Sequence, residues 1–185
     1  MSRIAEPVRE ALDEAQRQAY DAIVGGARGK MAALFWPWLS SPELCDRAQR
    51  LGEFVRYKTS LPPRLSELAV LVTARFWRSN FEWVTHEPIA REAGLAPDII
   101  EAVKAGTPPS FTNGDEEAVY RLSRELHETH LVSDAAYRDS VDRFGEGGTA
   151  ELVCLLGYYT MAAMTLSAFR LPLPEDVEAP FGEPA

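Results

Sequence analysis

LPPRLSELAVLVTARFWRSNFEWVTHEPIAREAG, residues 61–94, is the stretch whose reading decides the fold. It opens on Pro62-Pro63, suited to a first helical turn, where a missing N–H costs nothing. From Leu65 to Trp77 the pattern is apolar on nearly every side except at Glu67, Thr73 and Arg75. A helix apolar all round is a buried one, which predicts a carboxylate, Glu67, inside the protein. Arg78-Ser79-Asn80 then interrupts with two residues that prefer caps and turns. Helical patterning resumes at Phe81, and Gly94 supplies a stop. Glu82 and His86 are four apart and share a helical face. Glu67 and His86 are nineteen apart, so one unbroken helix leaves them about 100° out of phase. A fold-back at Ser79-Asn80 instead brings two carboxylates and an imidazole together on two packed helices. Pro88 works against the simplest version. If the second helix starts at Thr85, Pro88 falls in its first turn and Glu82 and His86 are no longer helical neighbours.

The remaining chain reads as helices too. Pro7 to Val24 is an amphipathic helix with Val8, Leu12, Ala15, Ala19 and Ile23 on its apolar stripe. Residues 27–41 form a loop whose Phe35-Trp36-Pro37-Trp38 is too apolar for bare linker and covers a core or pocket. Ser41-Pro42 opens a helix to Tyr57, with Leu44, Ala48, Leu51 and Val55 facing inward and Phe54 beside them. A short helix follows from Pro97 to Gly106, then a strong one from Asp115 to about His130, with Val119, Leu122 and Leu126 facing in and acids in its first turn. Another runs from Ser133-Asp134 to Gly145, and a very apolar one from Thr149 to Phe169. The proline-containing tail, 171–185, is expected to be loose. No segment alternates with period two between turns, so the fold class is all-α, one domain over 1–185 with its core at about 41–169.

Composition narrows the function classes. At 185 residues, with 46% hydrophobic and 25% charged residues, the chain can bury a sizeable core. A net charge of −9 without a basic run argues against a nucleic-acid partner. The N-terminus lacks a signal-type apolar core, and Cys45 and Cys154 make no metal or redox spacing, which points to a cytoplasmic protein with reduced thiols. Glu151, Gly157, Tyr158-Tyr159 and Thr165 weaken a membrane reading of the last helix. Two helices apolar on all sides are many for so small a domain, which favours burial between identical subunits.

These residues resemble the carboxymuconolactone decarboxylase family, which shares its fold with the AhpD alkylhydroperoxidase group. The resemblance spans roughly Ser41 to Phe169. It rests on Leu61-Pro62-Pro63-Arg64-Leu65, on Glu82-Trp83-x-x-His86, on Ala93-Gly94-Leu95, and on Phe144-Gly145, Glu151-Leu152 and Gly157-Tyr158-Tyr159. It implies an all-α homo-oligomer, a trimer or a hexamer. In the peroxidase branch the pattern is Cys-x-x-Cys-x-x-x-His with a glutamate on the preceding helix. Glu67 matches that glutamate and His86 that histidine, but the cysteine positions fall on Ser79 and Glu82. Peroxide reduction needs a thiolate and a resolving partner, so that chemistry is not expected at this site.

The decarboxylase form implies a cofactor-independent lyase acting on a small carboxylated lactone or related organic acid. Such a step needs a dry pocket, stabilisation of developing negative charge and a proton donor. His86 fits the acid/base role, oriented by Glu82 or Glu67, and a buried Glu67 that stays neutral is a further form. Arg56, Arg64 and Arg75 are the candidate cations for the substrate carboxylate, with Trp83 lining its pocket. Ser167 stands where the family pattern has asparagine. Two other classes stay open. One is a non-catalytic oligomeric binding protein; the other is an AhpD-like peroxidase-type member that uses Cys45 or Cys154 in place of the missing pair. Glu67, Glu82 and His86 also make a possible divalent-metal set, which the resemblance does not imply. His127 and His130 read as an exposed pair near a helix C-terminus.

Overall fold

The structure, a computed structural model, describes residues 2–173 and 177–182. Among the described residues it is helical throughout, with no strand. The sequence reads as one domain; the structure divides into two compact units, Met1–Lys58 with Met164–Pro172, and Thr59–Ala163 with Leu173–Ala185.

In the first unit, helix α1 spans Glu14–Val24. It begins later than Pro7 because Asp13 and Gln16 form a reciprocal cap: Gln16 N–H donates to Asp13 Oδ1 at 2.8 Å, and Asp13 N–H donates to Gln16 Oε1 at 3.0 Å. The aromatic loop folds into two 3-10 turns, Ala33–Phe35 and Trp38–Ser40. Phe35 and Trp38 meet edge to face at 5.5 Å and are buried core, and Trp38 Nε1 donates to Thr165 Oγ1 at 3.2 Å. Helix α2, Pro42–Tyr57, has the expected bounds, but its buried face is Cys45, Ala48, Gly52 and Val55. Leu44, Leu51 and Phe54 are exposed, so the stripe is rotated by one residue from the expected one. The small residues Ala48 and Gly52 let α2 approach its neighbours where Leu44 and Leu51 would hold it off.

The second unit is built around α3, Pro63–Phe76, in which every residue from Leu65 to Ala74 is buried. That is what its all-round apolar pattern demands. Around it lie α4 (Asn80–Glu92), α5 (Pro97–Ala105) and α6 (Gly114–Thr129). The turn from α3 into α4 is a Schellman cap. Ser79 N–H reaches Ala74 C=O at 2.8 Å and Arg78 N–H reaches Arg75 C=O at 3.1 Å, with Arg78 at φ +50°. A left-handed arginine costs about 1 kcal/mol relative to glycine, which cap bonds and tertiary contacts must offset. The same pair of hydrogen bonds closes α4 at Gly94 and α5 at Gly106.

Helix α4 starts at Asn80, not Thr85, and carries Pro88 in its interior. Glu82 and His86 are therefore one turn apart on the same helix. Helix α7, Asp134–Ala168, is two helices joined at Gly145, whose φ of +70° and ψ of 173° break the ladder without a loop. It is long and apolar enough by composition to cross a membrane, yet over half of its most apolar stretch is buried, with Leu152, Leu155, Leu156 and Tyr159 on one inward stripe.

The tail is not loose where it is described. Phe181 is buried, and its N–H donates to Asn80 Oδ1 at 2.8 Å. Asn80 Nδ2 donates to Gly182 C=O at 2.9 Å, and the Arg78 guanidinium donates to Phe181 C=O. Residues 174–176 and 183–185 of that tail lie outside the described residues.

Candidate functional site

The fold-back at Ser79-Asn80 brings Glu67 of α3 against His86 of α4. Glu67 Oε2 and His86 Nδ1 are 2.7 Å apart, and both residues are about 95% buried. The simplest assignment has Nδ1–H donating to the carboxylate, a charge-assisted hydrogen bond of ordinary length. It fixes the imidazole tautomer and leaves the lone pair of the neutral ring on Nε2. Tyr159 of α7 presses on the ring at 5.0 Å and 89°, which stops the imidazole from turning away from Glu67. Glu67 is thus the histidine's partner.

Glu82 does not share that role. It is 3% exposed, and its Oε2 has no hydrogen-bond partner among the described residues. Burial pushes its pKa well above the usual carboxylate range; the nearby Ser79 hydroxyl opposes this only in part and forms no hydrogen bond. Ser79-x-x-Glu82 has the spacing of a capping box, yet the Ser79 side chain caps nothing, and Ser79 Oγ is also buried and unpaired. Positions 79, 82 and 86 lie within about 60° of one another around the helix. One face of α4 therefore carries two unsatisfied polar atoms and the imidazole. Among the described residues no group of three side chains is placed to hold a metal ion, so Glu67, Glu82 and His86 do not converge as a ligand set.

The expected cations go elsewhere. Arg64 is taken up by α6: its Nη2 meets Asp115 Oδ2 at 2.8 Å and its Nη1 pairs with the buried Glu116. Arg75 donates from Nε to Lys104 C=O at 2.9 Å and lies over the Phe181 ring at 5.6 Å. Arg56 sits on α2 in the first unit, over Tyr57 at 5.2 Å. Trp83 is fully buried, with Nε1 donating to Glu87 Oε2 at 2.6 Å and its ring edge to face with Phe181 at 5.3 Å. It forms wall, not open pocket lining. Ser167 is exposed.

His127 corrects the sequence reading. It is buried, stacks on Phe76 at 4.9 Å and lies 3.0 Å from Thr73 Oγ1, while His130 stays exposed. Tyr159, Asn80 and Phe181 were not singled out as contributors. Gly157-Tyr158-Tyr159 and the aromatic in the tail were visible, but nothing local says which helix they reach.

No protein-family model matches the chain, and no curated protein matches it. Solved structures do. The chain is similar to an alkylhydroperoxidase AhpD core, an uncharacterized peroxidase-related protein from Ralstonia eutropha JMP134, with a TM-score of 0.75, 15% identity, and 95% of this chain and 93% of that one covered. It is also similar to a protein of unknown function from Agrobacterium tumefaciens with a suggested AhpD antioxidant-defence assignment, at a TM-score of 0.65, 17% identity, and 74% and 94% covered. The fold is AhpD-like.

Proposed function

We propose that this chain is an AhpD-like, peroxidase-related protein that works without thiols, by proton transfer at the Glu67–His86 pair. The observation that carries the proposal is that buried 2.7 Å pair in a site with no cysteine on α3 or α4. Ser79 and Glu82, at the two positions where a thiol pair would stand, are buried with unsatisfied oxygens, which suits a bound polar ligand or water. Cys45 is a poor substitute nucleophile. Burial raises its thiol to about 11, so only about one molecule in ten thousand carries a thiolate at neutral pH.

The specific reaction in this proposal is cofactor-independent decarboxylation of a small carboxylated lactone or related acid. The bond to the carboxylate carbon breaks, carbon dioxide leaves, and the electron pair stays on the substrate as an enolate. Neutral Glu82 donates a hydrogen bond to that developing charge, and His86 returns a proton from Nε2 to carbon. Glu67 holds the ring and balances the imidazolium. The functional unit in this reading is a cytoplasmic homo-oligomer, to be weighed by light scattering.

A second reading, an oligomeric binding protein without chemistry, draws on the near-complete burial of the pair. One experiment separates them: carbon dioxide release from carboxymuconolactone and related lactone acids, beside thiol-dependent peroxide consumption, for wild type and His86→Ala. Release that disappears in the variant supports proton transfer. Peroxide consumption abolished by alkylating Cys45 and Cys154 sinks the thiol-free reading. Neither activity on any acid tried favours the binding protein.

A further inference from the structure

A second site lies in the same unit, and none of its lining residues belongs to the Glu67–His86 pair. A cavity of about 230 Å³ opens between α3, α5 and α6. A cavity of about 150 Å³ holds benzene, so this one has room for a single ring with short substituents. Val72 and Phe76 from α3 and Val103 from α5 supply its apolar wall.

Two arginines line it, and they are not equivalent. Arg124 is already balanced: its Nε donates to Glu128 Oε1 at 2.8 Å and its Nη1 to Tyr120 OH at 3.3 Å. Arg75 is half-buried, held by Lys104 C=O at Nε, and forms no ion pair among the described residues. Gly106 makes its position possible, because a Cβ there would stand 2.7 Å from Arg75 Nη2. A guanidinium fixed through Nε and lacking a carboxylate is a fork waiting for one.

Another part of the lining, His127, accepts rather than donates. The Thr73 hydroxyl spends its proton on Ala69 C=O at 2.9 Å, so at the 3.0 Å contact His127 Nε2–H must be the donor. The other ring nitrogen, Nδ1, then carries a lone pair. Burial lowers the His127 pKa and keeps the ring neutral. The Glu128 carboxylate, already paired with Arg124, also lines the cavity.

We infer that this cavity binds a small monocyclic carboxylic acid, its carboxylate on Arg75 and a hydroxyl or amine hydrogen of the ligand on His127 Nδ1. The test is calorimetric titration of the full chain with 4-hydroxyphenylacetate, its neutral amide and phenylacetate, with amide chemical shifts to place the ligand. The acid should bind about tenfold or more tighter than the amide, as a charged hydrogen bond permits. Phenylacetate, without the donor, should bind several-fold more weakly. In Arg75→Gln the preference for acid over amide should vanish while the amide binds as before, a ratio that does not depend on modest changes in stability. If that variant fails to fold, the wild-type ratio and the shifts at Val72 and Val103 decide alone. Equal binding of acid and amide, shifts elsewhere, or no binding at millimolar acid because a second copy covers the cavity, would each overturn the inference.

Discussion

At His86 the Glu67 carboxylate takes the place of water at Nδ1, and little else can, since the ring is 4% exposed and Tyr159 closes its flank. Removing the acceptor leaves a buried N–H unpaired, at about 1–3 kcal/mol. Glu67→Ala should therefore lose about that much in urea denaturation. Glu67→Gln keeps an oxygen within reach of Nδ1–H and should lose under about 1 kcal/mol. If the two variants lose equal stability, the hydrogen bond is not what holds the imidazole. This pair was legible because its two residues flank a turn, and Ser79-Asn80 announce that turn. The state of Glu82 was not. Sequence spacing placed it on the His86 face, but only packing decides whether a carboxylate there finds a partner, and this one does not.

Between elements, the strongest polar tie is at the head of α3. Arg64 joins Asp115 and Glu116 of α6, and Glu116 is only 2% exposed, with Asn113 Nδ2 on its other oxygen at 3.1 Å. Breaking a buried pair from one side strands the other charge, at about 3–5 kcal/mol. Arg64→Met should cost about that much by thermal or urea unfolding, and adding Glu116→Leu should recover most of it. A loss no larger in the single than in the double variant would mean that Glu116 is not stranded. The sequence offered Arg64 as a cation for a substrate carboxylate; its partners in the fold are about fifty positions away, beyond the reach of any local pattern. Distance hid the tail contact as well. Asn80 reads locally as a helix starter, while its side chain holds Phe181 and Gly182 from both sides. Asn80→Ala should cost about 1 kcal/mol and remove hydrogen-exchange protection from the Phe181 amide, leaving α3 amides protected. Unchanged protection at Phe181 would show that Trp83 and Arg78 hold the tail without it. The helices themselves were legible wherever a cap or proline coincided with apolar periodicity. The rotation of the α2 face was not, because Leu44 and Leu51 look more like core than Cys45 and Gly52 do.

For the whole molecule, two buried groups in the second unit tilt the pH dependence of stability in opposite directions. Glu82 has its folded pKa raised well above the 4.5 of an ordinary glutamate, by burial first. Its contribution is complete below 4.5 and is lost as pH rises through the folded pKa, because there the folded state holds a proton that the unfolded chain has released. His127 has its folded pKa lowered from 6.5, again by burial first. Its contribution is complete above 6.5 and is lost as pH falls through the folded pKa, because there the unfolded chain binds the extra proton. The other 27 acidic residues titrate alike in wild type and in a Glu82 variant, so a difference curve isolates the one group. Glu82→Gln should gain stability relative to wild type as pH rises from 5 to 8, the direction that a raised folded pKa sets. The gain should shrink toward pH 5, where the unfolded chain nears its own glutamate pKa of 4.5 and begins to hold the same proton. His127→Gln should instead flatten the curve below pH 6.5 and leave the alkaline side as it was. Melting temperatures of the three proteins from pH 5 to 8.5 check both. A Glu82→Gln gain independent of pH would mean that the carboxyl titrates alike in the folded and unfolded chain, so that burial does not raise its pKa. A gain that grows with pH would mean that folding at neutral pH carries the cost of holding a proton on a buried acid beside His86, the neutral form that can donate a hydrogen bond at that site.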